Sequence, residues 1–310
     1  MPRSKPPSTT QQLDIFADSQ DVMLRNDLAG MLTRHDGAAA RQALVTLSDS
    51  YPEDAMLAPA RVLLAALVGG APSPVAKPTA PVAAADLAAA RLHLQGQVAP
   101  AAAAVLGQGA APTWLAPLWR DLARRSESLP WAAARADEHA APLWLAAGDW
   151  AQAARAAGGI TSWRRIPAPL AWMAEARFRQ DGVDTVWPLL SELAWLAPRR
   201  LDGLLRRLAD PLLDRLRRRF DDGFDAGVER GAEHGDLAWF PAWVLTDTPA
   251  LAPRLALAEP GQDSAAERGL RLMVNLLALE RQGRHHELVA RRLVLRDLCP
   301  PLFAAYIATR

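Results

Sequence analysis

The residues best suited by type to chemistry are His285, His286 and Glu287, the arginines between positions 199 and 219, and Cys299. Two imidazoles beside a carboxylate are the donor types of a divalent-metal site. Adjacent positions on a helix, however, point about 100° apart, so His285 and His286 cannot easily share one ion. Only a distant His234 could add a third imidazole, and no metal site is expected. Eight arginines, Arg199 to Arg219, could face nucleic acid as a basic patch. They are interleaved with Asp202, Asp210, Asp214, Asp221 and Asp222, around an apolar stripe that includes Leu204, Leu208, Leu212 and Leu216. That pattern describes solvated, ion-paired helix faces, and a nucleic-acid partner is not expected. Cys299 is the single cysteine, which excludes an intramolecular disulfide and a cysteine-based zinc site. Its neighbour is Pro300 and no base adjoins it, so a catalytic thiol is not expected either. The chain has no P-loop, no dinucleotide-binding glycine pattern and no nucleophile elbow. The reading is of a protein without enzymatic chemistry and without a cofactor.

One short segment is more specific. Gln12-Leu13-Asp14-Ile15-Phe16 follows a stretch of Pro, Ser, Thr and Gln with two cations, which can bury little apolar area and is expected to be disordered. The five residues resemble the peptide by which many bacterial replication and repair proteins bind the sliding clamp: Gln-Leu, then Ser or Asp, then Leu, then Phe. Ile15 in place of Leu is the one departure. The resemblance implies that Leu13, Ile15 and Phe16 fill an apolar cleft on the clamp while Gln12 hydrogen-bonds at its rim and Asp14 takes the variable position. Each buried apolar side chain could contribute roughly 1.5–3 kcal/mol. Ordering the tail offsets several kcal/mol of that, so micromolar affinity is expected. The alternative is local: Leu13 and Phe16 fold back on the first helix or a neighbour, as a hydrophobic staple does.

The rest of the chain supplies a body for that peptide. In 310 residues half are apolar, Ala and Leu dominate, and prolines are frequent but scattered. This favours helices broken at short intervals. The formal net charge of +1 gives no overall attraction to nucleic acid or an anionic membrane. No apolar run approaches a membrane span, and the N-terminus lacks the apolar core of a secretory signal. A cytoplasmic location is expected.

Asp18 or Ser19 is a good N-cap, and Leu24, Leu28, Met31 and Leu32 form the stripe of a first amphipathic helix. Gly37 is expected to break it. Ala40, Leu44, Leu47 and Tyr51 make the matching stripe of a second helix, and a third is expected over about 54–67. Residues 18–68 thus read as an N-terminal helical unit behind a 1–17 tail. The Pro- and Gly-rich stretch 69–82 reads as a linker between domains or a long loop within one. Residues 83–310 read as helices throughout, with Pro112, Pro117, Pro130 and Pro142 at helix starts. Among them, helices are expected at 184–196, 198–208, 264–282 and 284–295. The many tryptophans are expected to be mostly core.

Helical hairpins recur around glycines. Gly148 and Gly182 are 34 residues apart, and Gly182 and Gly283 are 101 apart, close to three such units. Gly148-Asp149-Trp150 followed by Ala153, and the distance from Gly283 to Pro300, resemble the tetratricopeptide repeat. The first-helix signature of that family is absent, and an irregular helical bundle is the alternative. The resemblance implies an all-α, right-handed α-solenoid of helical hairpins with no sheet. Such stacking leaves a concave groove for a protein or peptide partner. The function expected is a protein–protein interaction scaffold, with the sliding clamp as one candidate partner. A peptide-binding adaptor with no link to the clamp, or a helical nucleic-acid-associated protein, is the alternative.

Overall fold

The computed structural model describes residues 9–69, 84–227 and 235–310, with side chains described from Gln20 onward. Among them every regular element is helical. Two compact units divide at Gly148 and Asp149.

In the first unit α1 (Thr9–Thr33) and α2 (Gly37–Ser50) pack together, α2 packs on α3 (Leu57–Gly69), and α3 packs on α5 (Ala99–Ser126). α4 (Ala84–His93) joins α5 through one π-helical turn, Leu94–Val98, and α6 (Ala140–Ala146) closes the unit against α5. Leu28, Leu32, Leu44, Leu47, Leu63, Trp114 and Leu122 form the core, all within a tenth of full burial. The 69–82 stretch lies almost wholly outside the described residues. Helices on both sides of it share this one core, so the boundary between compact units falls elsewhere, in the Gly148 turn.

The first turn differs from expectation. His35, at φ 57°, takes the left-handed position, and Gly37 is already helical behind the Asp36 cap, whose carboxylate accepts from the Ala39 N–H at 3.0 Å. An Asp cap outcompetes glycine as the local punctuation, because it satisfies an otherwise free amide. α1 also begins at Thr9, upstream of the cap expected at Asp18 or Ser19. Pro112 and Pro117 lie within α5, which breaks instead at Gly107 (φ 80°, ψ 160°).

In the second unit α7 (Trp150–Gly158) packs on α8 (Pro167–Asp181) and α8 on α9 (Val183–Leu196). α10 (Pro198–Leu208) packs on both α8 and α9, and α11 (Pro211–Gly223) leads to α12 (Phe240–Asp247). α13 (Ala252–Leu255), α14 (Ala265–Gln282), α15 (His285–Leu298) and α16 (Pro300–Ala308) follow. Neighbouring pairs α14/α15 and α15/α16 pack in sequence, while α12 touches α9, α14 and α16 and so sits at the centre. Gly148, Gly182 and Gly283, the expected turn residues, all have positive φ. Ala153 is fully buried, whereas Trp150 is half-buried with the Arg179 guanidinium 5.9 Å from its ring centroid.

Candidate functional site

The Gln12–Phe16 backbone falls in the first turns of α1. Its side chains lie outside the described residues, so neither clamp availability nor the staple is decided there. The neighbouring residues are informative. From Gln20 to Asp27 no side chain is buried, and Val22 and Met23 are 50% and 64% exposed; Leu28 is the first buried residue among the described side chains.

The same helix is anchored further along. Asp54 accepts from the Arg25 Nε at 2.8 Å and from the Met56 N–H at 2.7 Å. Burial pushes the Asp54 carboxyl up, but the Met56 amide and Arg25 outweigh it and hold it below the usual range.

Two grooves are candidates for a partner. In the first unit α3, α4, the π-helical turn and α5 enclose about 310 Å³, with Leu94, Val98, Leu118 and Leu122 on the walls and His93, Asp121 and Arg125 at the edge. In the second unit α14 and α15 border an exposed groove of about 670 Å³ whose floor is Leu272, Val294 and Leu298. Arg268, Arg271, Asn275 and Arg291 line its rim, with Asp263 at one end.

A third feature is a buried charge cluster. Glu192 of α9, 6% exposed, accepts from the Glu259 N–H at 2.8 Å and lies 3.1 Å from the Arg164 Nε. Arg164 also pairs with Glu259, and Arg165 donates to the Pro260 carbonyl. Burial raises the Glu192 carboxyl pKa, against the Glu259 amide and Arg164. Beside it Glu267 accepts from the Gly261 and Asp263 amides at 2.8 and 3.0 Å, while its own N–H donates to the Ser264 Oγ at 3.2 Å. Ser264 thus caps α14 through the Glu267 N–H, while the Glu267 carboxylate turns back onto the amides of the loop ahead of the cap. The adjoining cavity is only about 90 Å³. These contacts tie the 258–264 loop to α9 and α14, a structural use of charge.

The groups considered for chemistry resolve as follows. His285 and His286 are both exposed, His234 lies outside the described residues, and no three His, Cys, Asp or Glu side chains among the described residues could hold an ion together. The arginine-rich stretch is extensively paired: Arg206 and Arg217 each lie 2.6 Å from Asp202, Arg217 also 2.8 Å from Asp221, and Arg207 3.1 Å from Glu175. Cys299 is 3% exposed and burial raises its thiol pKa, which disfavours the nucleophilic thiolate. Seven of the eleven tryptophans, Trp114, Trp119, Trp144, Trp172, Trp187, Trp239 and Trp243, are buried, so most of these rings build the cores. No described helix is long and apolar enough to cross a membrane.

No protein-family model matches this chain, and neither a curated protein nor a solved structure is significantly similar to it. The class that its own architecture defines is an all-α protein of two helical units.

Proposed function

We propose that this chain is a cytoplasmic, non-enzymatic interaction scaffold of stacked helical hairpins, recruited to the replication sliding clamp through Gln12, Leu13, Asp14, Ile15 and Phe16. The observation that carries the reading is the Gln-Leu-Asp-Ile-Phe sequence at the N-terminal end of α1. Support comes from the way the buried ionisable groups are used. Asp54, Glu192 and Tyr306 each join one helix to another segment. The first-unit groove is lined mainly by aliphatic side chains, and the α14–α15 groove sets Leu272, Val294 and Leu298 among charged residues, surfaces that can receive side chains of a partner.

A titration of a Pro6–Ser19 peptide and of the whole chain against purified sliding clamp tests it. Saturable binding near micromolar is expected, lost at least about tenfold on Leu13→Ala/Phe16→Ala, since two buried side chains are removed. Absence of binding at hundreds of micromolar, or binding indifferent to the double change, overturns the clamp assignment.

A further inference from the structure

α15 is an undercovered helix. Of its fourteen residues only Leu288 and Leu295 are buried, while Val289, Leu293 and Val294 are 58%, 47% and 47% exposed. A helix at a protein surface ordinarily turns its large aliphatic side chains inward and its charges outward. Here Val294 and the half-buried Leu298, one turn apart, line the groove together with Leu272 of α14. The groove runs alongside Arg268–Asn275 on α14 and Arg291–Leu298 on α15, which at 1.5 Å per residue is about 10 Å, two helical turns.

Its rim is positive. Arg291 has no acidic partner among the described residues, and Arg268, half-exposed, reaches only Asp263 at 3.8 Å, whose carboxylate is itself 79% exposed. Arg271 is held in place by donating to the Ala258 carbonyl at 2.7 Å and by stacking over Trp195 at 5.6 Å. Apolar side chains between Arg291, without an acidic partner among the described residues, and Arg268, paired only with the exposed Asp263, call for a ligand that is apolar on one face and acidic on its flanks.

We propose that the α14–α15 groove docks a two-turn acidic amphipathic helix of a partner protein. Aliphatic residues at i, i+4 and i+7 of that helix lie on Leu272, Val294 and Leu298, and flanking carboxylates meet Arg268 and Arg291. A second copy of the chain is a poor occupant, because a two-fold pairing of this face sets arginine against arginine. Nucleic acid is a poorer occupant, because a hydrated phosphodiester backbone on the arginines leaves Leu272, Val294 and Leu298 uncovered. This inference rests on the scaffold reading but is independent of the clamp peptide, so either can fail without the other.

The test uses the full chain with methyl-labelled leucine and valine and a helical peptide of about 15 residues, long enough to hold some helix in water. The peptide carries leucines at i, i+4 and i+7 and glutamates beside them. A second peptide replaces every glutamate by lysine. Saturable methyl shifts centred on Leu272, Val294 and Leu298 are expected with the acidic peptide and not with the basic one. Arg291→Glu should weaken the acidic peptide about tenfold, and Arg268→Glu/Arg291→Glu should transfer preference to the basic peptide. Both positions are exposed, so these variants keep the fold, which the unchanged remainder of the methyl spectrum verifies. Equal shifts with both peptides, shifts remote from the groove, or concentration-dependent self-association that covers these methyls overturns the proposal. Retention of duplex DNA through the same methyls does so too.

Discussion

The indole N–H of Trp114, in α5, donates to the backbone carbonyl of Leu32, in α1, at 2.7 Å. The bond joins residues 82 apart in sequence and adds a second donor to a carbonyl at the end of α1 that also accepts from the His35 N–H at 2.9 Å. The His35 ring stacks on the same indole, 5.3 Å away and 12° from parallel, directly at the left-handed residue that ends the helix. One buried aromatic therefore fixes both where α1 stops and how it meets α5.

Trp114→Phe should separate the two contributions. It keeps most of the apolar volume but removes the indole bond from a carbonyl that still accepts from the His35 N–H, at a cost of about 0.5–1.5 kcal/mol. Trp114→Ala also opens a cavity and should cost about 3–5 kcal/mol. Urea unfolding monitored by circular dichroism reads both. A Phe variant as stable as the parent would show that the hydrogen bond contributes nothing net.

The two units should respond oppositely to pH at one carboxylate each. Glu192 is raised above its ordinary 4.5 by burial, so its contribution to stability is complete below that value and is lost as pH rises through the folded pKa. Glu192→Gln keeps an acceptor for the Glu259 amide without the charge, and the parent should lose ground relative to this variant as pH rises above 4.5. Asp54 is depressed below its ordinary 3.8 by the Met56 amide and Arg25, against burial. Its contribution is present above 3.8 and lost as pH falls through the folded pKa, so the parent should lose ground to Asp54→Asn in acid. Unfolding midpoints across pH 3–7 for the parent and both variants are the measurement, and slopes of the same sign would contradict the assignments.

Gly269 in the middle of α14 should be intolerant of even a methyl group. Gly→Ala within a helix ordinarily stabilises by about 0.5–1 kcal/mol. Here an added Cβ would come 2.6 Å from the Trp239 ring and 3.5 Å from Leu302. Trp239 is 7% exposed and Leu302 is fully buried, so neither can move without repacking. Overpacking of this kind costs about 1–3 kcal/mol and should reverse the sign. A lowered melting temperature is expected for Gly269→Ala, and a raised one would mean that Trp239 swings aside freely.

What could be read from the sequence was what neighbouring residues decide among themselves. The bounds 198–208 of α10 and the Asp210 cap, which accepts from the Leu212 and Leu213 amides, follow from a few consecutive residues. So do the turns at Gly182 and Gly283, where a positive φ is needed. The Trp114–Leu32 bond and the Glu192–Arg164–Glu259 cluster were not legible, because their partners are 28 to 95 residues apart. The groove on α15 was hidden for a different reason. Its residues His285–Leu298 have the periodicity of a covered helix, and only packing reveals that its aliphatic side chains are left outside.

Clamp binding should compete with the helix that carries the peptide. Positions 13 and 15 are about 200° apart around the axis of α1, so no single cleft receives Leu13, Ile15 and Phe16 while these turns are wound. Binding therefore requires the end of α1 to unwind, which is modest in cost because terminal turns fray readily. Ala17→Pro should remove that cost: proline is accepted in a first turn but blocks the helix from extending upstream. In the whole chain the variant should bind the clamp about three- to tenfold more tightly, equivalent to roughly 1 kcal/mol. A Pro6–Ser19 peptide bearing the same change should bind as the parent peptide does, since it has little helix to lose. An unchanged affinity in the whole chain would show that the wound end of α1 does not restrain the peptide. Weakening in chain and peptide alike would place Ala17 itself in the contact.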